Sequence, residues 1–268
     1  METNILLPKP PKIIKKGENR AMFEIENCYP GYGITLGNAF RRALLSSLPG
    51  AAVTSVKIKG VDHEFSTMPH VLEDVIQIIL NLKQVRFKLY SDGPVILSLQ
   101  AKGEKKVKAS DIKASSDVEV INKDTHIATL TDKKAEIEIE IEVNRGLGYM
   151  PVEQRKKEKL TIGSIAVDAI FSPIKRVNYE IENMRVGDRT DFNRLQVDIE
   201  TDGSISPEEA FEKAARILVN HFSLFAVPEK TEEKELEKKS SPVKVKAAEA
   251  KKKLRKGISK KKEAKKKR

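Results

Sequence analysis

The chain has 268 residues, 39% of them apolar, and carries 50 Lys or Arg against 39 Asp or Glu, a formal net charge of +11. All of that excess lies in residues 229–268, where eighteen Lys or Arg stand against seven Glu; the rest holds 32 of each sign (50 less 18, and 39 less 7), so the body is charge-balanced and its sequence implies no basic face. A lone cysteine, Cys28, excludes an internal disulfide framework, and Ile5-Leu6-Leu7 before Pro8 falls far short of a secretory leader or the ~20 apolar residues of a membrane span, so a soluble cytoplasmic protein is expected.

The first residues, up to about position 18, are rich in Pro and Lys and read as an arm. A strand is predicted over about Arg20 to Asn27, then a turn through Pro30-Gly31-Tyr32-Gly33, then a helix that Pro49-Gly50 stops. Leu36, Phe40, Ala43, Leu44 and Leu48 recur at three- and four-residue steps and form one apolar stripe. Arg41 and Arg42 stand about 100° apart around that helix, so both cannot snorkel away from a broad apolar surface as easily as one could. One of them is expected to meet a partner; the plainer reading is a pair of solvated arginines. Val53, Val56 and Ile58 suggest a strand leading to Gly60. Pro69 sits where a second helix would begin, with the stripe Val71, Val75, Ile78, Ile79 and Leu82.

From Arg86 to Arg176 short strands are separated by Gly, Asp, Asn and Ser. In Ala135 to Val143 the residues Ile137, Ile139, Ile141 and Val143 share one face and glutamates the other, which makes a half-buried strand. Gly146 and Gly148 beside Tyr149 and Pro151 mark a shaped loop, Gln154 to Lys159 an exposed excursion, and Ile162 to Phe171 a return to buried strand that Pro173 closes. Val177, Tyr179 and Ile181, then Leu195, Val197 and Ile199, give two alternating runs, the second ending at the turn Thr201-Asp-Gly-Ser204. The last helix starts on a capping box: Ser206 as N-cap, Pro207 at the first position and Glu209 at the third, the cap contributing about 1 kcal/mol. Its stripe of Ala210, Phe211, Ala214, Ala215, Leu218, Val219, Phe222 and Phe225 exceeds what one small sheet needs, and part of it is expected to pack against the same helix of a second copy. Residues 229–268 hold few aliphatics and no aromatic residue, too little apolar surface to fold alone, although pairs such as Glu235 with Lys239 suit a prolonged helix.

Four motifs in this order carry a resemblance. Leu36-Gly-Asn-Ala-Phe-Arg-Arg-Ala-Leu-Leu-Ser-Ser47 resembles the first long helix in the amino-terminal domain of bacterial RNA polymerase alpha subunits. Val61-Asp-His-Glu-Phe-Ser-Thr67 with Glu73-Asp74 and Leu80-Asn-Leu-Lys83, Arg145-Gly-Leu-Gly-Tyr-Met-Pro151, and Val167-Asp-Ala-Ile-Phe-Ser-Pro173 with Arg189-Thr-Asp191 and Pro207-Glu-Glu-Ala210 are similar to later segments of the same family. The resemblance implies an α+β fold in which residues 1–52 and 176–228 form a discontinuous dimerisation domain of two long helices on an antiparallel sheet. Residues 53–175 are then an inserted strand-rich domain, and 229–268 a tail. It implies a homodimer that serves as the assembly platform for the beta and beta-prime subunits, with omega and sigma in the holoenzyme. Arg42 matches the family residue that contacts the beta subunit, with Arg41 beside it. His63, Glu64, Ser66, Thr67, Arg145, Gly148, Arg189 and Asp191 fall on further surfaces facing the large subunits. Leu36, Phe40, Leu44, Leu48, Phe211, Leu218 and Phe222 are the expected dimer interface.

Catalytic signals are weak. His63, His70, His126 and His221 are isolated, and with one Cys no zinc-ligand spacing exists. Gly31-Tyr-Gly-Ile-Thr-Leu-Gly37 has three residues where the dinucleotide fingerprint has two, and lacks a firmly apolar strand before it. No catalytic residue, metal or cofactor is expected; the chain reads as a noncatalytic subunit of a nucleotidyltransferase. The family's carboxy-terminal DNA-binding domain is not expected in the stretch after Pro228. In its place lie Lys251, Lys252, Lys253, Arg255 and Lys256, suited to nonspecific phosphate contact with DNA or RNA. Two rivals remain, a free nucleic-acid-binding dimer and an independent enzyme using the glycine loops, and neither accounts for four ordered motifs in a neutral body.

Overall fold

The computed structural model describes residues 5–91, 93–155 and 163–226. The Lys-rich tail and most of the predicted Gln154 to Lys159 excursion lie outside them.

The N-terminal segment differs from the expected arm. Lys12–Lys15 forms strand β1, antiparallel to β2 (Arg20–Cys28). Adjacent β-branched Ile13 and Ile14 suit extended backbone, and flanking lysines discourage further pairing at this edge. Lys12 and Lys9 reach the two oxygens of Glu26 at 2.8 and 3.1 Å. Their hydrogen bonds, Lys12's first, hold the Glu26 carboxyl down to about 2. Gly31, at φ 85°, turns the chain into α1 (Tyr32–Ser46). Its N–H donates to Asn193 Oδ1 at 3.0 Å, which anchors the helix entrance to a distant strand.

Pro49 and Gly50 do stop the helix, and they also open β3 (Pro49–Ile58). Helix α2 (Val75–Gln84) starts later than Pro69 suggests, because Asp74 is its cap and accepts from the Gln77 N–H at 2.7 Å. Upstream, His70 has φ 62° and Val71 bridges Leu130, so the stretch after Pro69 is a turn. There follow β4 (Phe87–Leu89), β5 (Val95–Lys102), β6 (Lys105–Lys108), β7 (Ile112–Lys113), β8 (Val118–Val120), β9 (His126–Leu130) and β10 (Glu136–Leu147). The isoleucine-glutamate alternation is realised in β10, where Ile137, Ile139, Ile141 and Val143 are wholly buried. Gly146 belongs to this strand rather than to a loop, paired with Gly50. After β11 (Tyr149–Met150), the expected strand between Ile162 and Phe171 is two brief pieces, β12 (Ile165–Ala166) and β13 (Ala169–Ile170). They are separated where Asp168 accepts the Val152 N–H at 3.0 Å. The chain ends its described part with β14 (Ile174–Val186), β15 (Arg189–Thr201) and α3 (Pro207–Ser223).

Two main sheets result. One, in the order β1-β2-β15-β14, joins the start of the chain to its later part. The other runs β7-β5-β10-β3-β4-β8, with β12 added on β3. Each has its own core. Against the first sheet, Phe23, Leu195, Val197 and Ile199 gather with Leu44 and Leu48 after and within α1 and with Ala210, Phe211 and Ala214 of α3. The Phe211 ring is stacked between Phe23 and Phe40, with centroids at 4.3 and 4.6 Å. The second core gathers Val75, Ile78 and Leu82 of α2, which lies on β9 and β3, with the isoleucine face of β10. The fold is strand-rich α+β.

This packing corrects part of the expected dimer interface. Leu44 and Leu48 are 0% and 1% exposed, and Phe211 is held in the ring stack, so none has area left to bury against another copy. Leu36, Phe40 and Leu218 are half-buried on the same core. The stripe period is right, but its centre is consumed by the chain's own sheet. At the helix start, Ser206 Oγ accepts from the Glu209 N–H at 3.2 Å as expected, while the Glu209 carboxylate turns to Lys213 at 2.7 Å instead of completing the box.

Candidate subunit-contact surface

α1 approaches its sheet closely because of its glycines. A Cβ on Gly33 would stand 3.0 Å from Asn193 Cβ, and one on Gly37 would stand 2.7 Å from the Tyr179 ring. This helix–sheet approach accounts for the glycine set that superficially matches a nucleotide loop. With one face pressed on β14 and β15, the opposite face carries Ile34, Asn38, Arg41, Arg42 and Leu45, all exposed. Neither guanidinium makes an ion pair among the described residues. Two cations flanked by exposed Ile34 and Leu45 form a surface with apolar contact area and unspent hydrogen-bond donors.

The strip from His63 to Thr67 is displayed by a loop that is fastened on its C-terminal side. Phe65 is exposed, as are His63, Glu64 and Thr67, while Ser66 is half-buried with Oγ 3.1 Å from His63 Nδ1. Behind it, the Leu72 N–H donates to the Thr129 carbonyl and the Thr131 N–H to the His70 carbonyl, both at 3.0 Å. Glu73 locks the arrangement: its carboxylate accepts from Thr129 N–H at 2.6 Å and Thr129 Oγ1 at 3.0 Å, and lies 2.7 Å from His126 Nε2. Burial alone would raise the Glu73 pKa, but the bonds from His126 and Thr129 outweigh it and leave the carboxyl below the usual range. Glu73 and His126, which the sequence left as an unassigned acid and an isolated histidine, are thus the fastening of this loop. Among the described residues no group of His, Cys, Asp or Glu is arranged to hold a metal ion.

Arg189 and Asp191 form a two-pronged pair, Nε to Oδ1 at 3.0 Å and a terminal nitrogen to Oδ2 at 2.7 Å. Hydrogen bonding to Asp191 and then to Tyr29 raises the arginine pKa, and the same arginine lowers that of Asp191. The guanidinium also lies over Tyr29 and Phe192, 5.6 and 5.2 Å from the ring centroids. Tyr29 meets Phe192 and Tyr32 edge-on at 6.0 and 5.9 Å. Arg189 is therefore linked through aromatic rings to the first residue of α1. Tyr29, Tyr32 and Phe192 escaped the sequence reading; the available signal was aromatic residues bracketing the Pro30-Gly31 turn and adjoining Arg189-Thr-Asp191.

Arg145 lies exposed near the end of β10, opposite Ala51, and Gly148 follows at φ 60°. Phe222 is 65% exposed. Lys251, Lys252, Lys253, Arg255 and Lys256 fall outside the described residues.

Known proteins resolve the class of this molecule. The family described as RNA polymerase Rpb3/RpoA insert domain matches residues 56–172, the stretch that builds most of the second sheet. Over 213 residues, 80% of this chain and 67% of the relative, it is 53% identical to the DNA-directed RNA polymerase subunit alpha of Symbiobacterium thermophilum. The subunits of the same name from Roseiflexus sp. and Roseiflexus castenholzii are 48% identical over 223 residues, 83% of this chain and 68% of each relative. The chain belongs to the family of DNA-directed RNA polymerase alpha subunits. No helix among its described residues is long and apolar enough to cross a membrane.

Proposed function

We infer that two copies of this chain associate through α1 and α3 and that the dimer is the noncatalytic platform on which the beta and beta-prime subunits of RNA polymerase assemble, with omega and sigma completing the holoenzyme. The carrying observation is the outer face of α1, where Arg41 and Arg42 stand exposed between Ile34 and Leu45, without ion pairs among the described residues. Family membership favours a subunit role, and the separate cores of the two sheets favour reading residues 1–52 with 176–228 as the dimerisation domain and 53–175 as the insertion. The dimer contact draws on Val219, 65% exposed, and on Leu36, Phe40 and Leu218, half-buried on the core, with Phe222 assigned to it as a further exposed residue of α3. His63 to Thr67, Arg145, Gly148 and the Arg189–Asp191 pair are assigned to contacts with the large subunits.

Phe222→Asp tests the dimer. An exposed aromatic residue lost from a free surface changes folding stability by no more than about 0.5 kcal/mol, whereas an uncompensated carboxylate in an apolar contact opposes association strongly. The variant is expected to run as a folded monomer in analytical ultracentrifugation; an undisturbed dimer removes Phe222 from the interface.

The tail of residues 240–268 suits nonspecific contact with nucleic-acid phosphates, since a run of lysines gains affinity by counterion release. Its deletion is expected to weaken DNA retention by the assembled polymerase and to flatten the salt dependence of binding. An unchanged salt slope would leave the tail without that role.

A further inference from the structure

Residues 70–73 lie along the edge of β9 opposite β6, as a strand one step too short. The Thr131 N–H donates to the His70 carbonyl at 3.0 Å, Val71 bridges Leu130, and the Leu72 N–H donates to the Thr129 carbonyl at 3.0 Å. In a regular antiparallel ladder the Leu72 carbonyl would accept the Thr129 N–H in return. The chain has turned away by then, because Asp74 caps α2. The Glu73 carboxylate takes the carbonyl's place and accepts that N–H at 2.6 Å. Two adjacent acids thus have opposite tasks: Glu73 ends the ladder and Asp74 starts the helix.

This carboxylate secures the loop rather than the core. Its side chain is 12% exposed, and three groups of β9 meet it: the Thr129 N–H, Thr129 Oγ1 at 3.0 Å and His126 Nε2 at 2.7 Å. Helix α2 is held by other means. Asp74 caps it, Val75, Ile78 and Leu82 anchor it in the core, and Asn81 Nδ2 donates to the Ile127 carbonyl at 3.0 Å. The strip from His63 to Thr67 has only long main-chain bonds of its own, Ser66 N–H to the His63 carbonyl and Val75 N–H to the Ser66 carbonyl, both at 3.3 Å. Phe65, 75% exposed, adds no anchoring by burial.

We propose that Glu73 is a positioning residue for subunit assembly: it fixes the loop so that Phe65 and its neighbours meet a large subunit in one pose, without touching that subunit itself. This rests on the reading that the strip from His63 to Thr67 faces the large subunits. A loop already held in its bound pose loses less freedom on association, so releasing it lowers affinity although no contact is removed. His126 shares the task through its bond to the same carboxylate.

The test measures amide hydrogen exchange in the full chain and its capture of the beta and beta-prime subunits. Glu73→Ala is expected to speed exchange of the Thr129 and Leu72 amides, leave the dimer intact and weaken capture about tenfold. A covalent substitute for the carboxylate should restore it. Val71 and Leu130 face each other across an antiparallel bridge, where Cα atoms lie about 4.5–5.5 Å apart, within a disulfide's reach. Val71→Cys with Leu130→Cys, oxidised in the Glu73→Ala chain, is expected to bring capture within about twofold of the oxidised pair alone. His126→Ala, at an exposed position, removes one of the three bonds and should give a smaller loss of the same kind, so the outcome does not depend on Glu73→Ala folding. Phe65→Ser checks the underlying reading. If it leaves capture unchanged, the strip does not face the large subunits. If it weakens capture while the Glu73 and His126 variants do not, the strip is a contact whose pose Glu73 does not set. Loss of capture that the disulfide fails to restore would place Glu73 in the contact itself. Each of these three results overturns the proposal.

Discussion

Arg42→Ala is expected to yield a chain that folds and dimerises as before but retains little beta subunit when the two are co-purified. Arg42 lies on the outer face of α1, exposed and without an ion pair among the described residues, so its removal takes nothing from either core and should change stability by no more than about 0.5 kcal/mol. In an assembled interface the same residue would be desolvated with its forked donors bound to carboxylate or carbonyl oxygens. Truncating such a group costs about 2–5 kcal/mol, a thirtyfold to several-thousandfold loss of affinity. Lysine should restore only part of it, since an ammonium lacks the planar fork. Arg41→Ala should do less, because the family match falls on the second arginine of the pair. Wild-type recovery of beta subunit by Arg42→Ala would withdraw the assignment of this face. Loss of dimer together with beta would show that Arg42 serves the contact between copies instead.

Much of this was legible in the sequence because the helices and long strands obey one period each. The two-residue alternation of β10 and β15 marked their buried residues correctly, and the 3.6-residue stripe of α1 marked the right face, with Ala43 and Leu44 buried and Leu36 and Phe40 half-buried. Periodicity tells which face is buried but not by what. Leu44 and Leu48 were therefore assigned to a second copy when the chain's own sheet covers them. The same limit hid the Glu73–His126 fastening, whose members lie 53 positions apart and meet only once β9 is laid beside the loop. Arg189 was read from its motif, while its aromatic setting depends on Tyr29, brought in by the pairing of β2 with β15. Local signals with a geometric cause, such as Ser206 capping α3 or the Pro30-Gly31 turn before α1, did transfer directly.

Gly50→Ala and Gly146→Ala should both be severely destabilising, yet respond differently to a second change. The two glycines are register partners on β3 and β10, and both lie against Phe171. A Cβ on Gly146 would stand 2.6 Å from the Phe171 ring, and one on Gly50 would stand 1.9 Å from the Phe171 carbonyl oxygen. A ring can be truncated; a carbonyl cannot. Overpacking costs about 1–3 kcal/mol where side chains can move and more where backbone must. Gly50→Ala is accordingly expected to lose roughly 4 kcal/mol or to fail to fold. Phe171→Ala leaves a cavity and costs about 3–5 kcal/mol alone, but combined with Gly146→Ala it removes the collision, so the double variant should be more stable than the sum of the two by at least about 1 kcal/mol. The same background should leave Gly50→Ala unrescued. Urea denaturation of the wild type, the three single variants and the two double variants measures both couplings. Equal rescue at the two positions would mean that the Phe171 main chain yields as easily as its ring, and that the crossing of β13 over β3 is not the fixed point that sets how the strands emerge from α1.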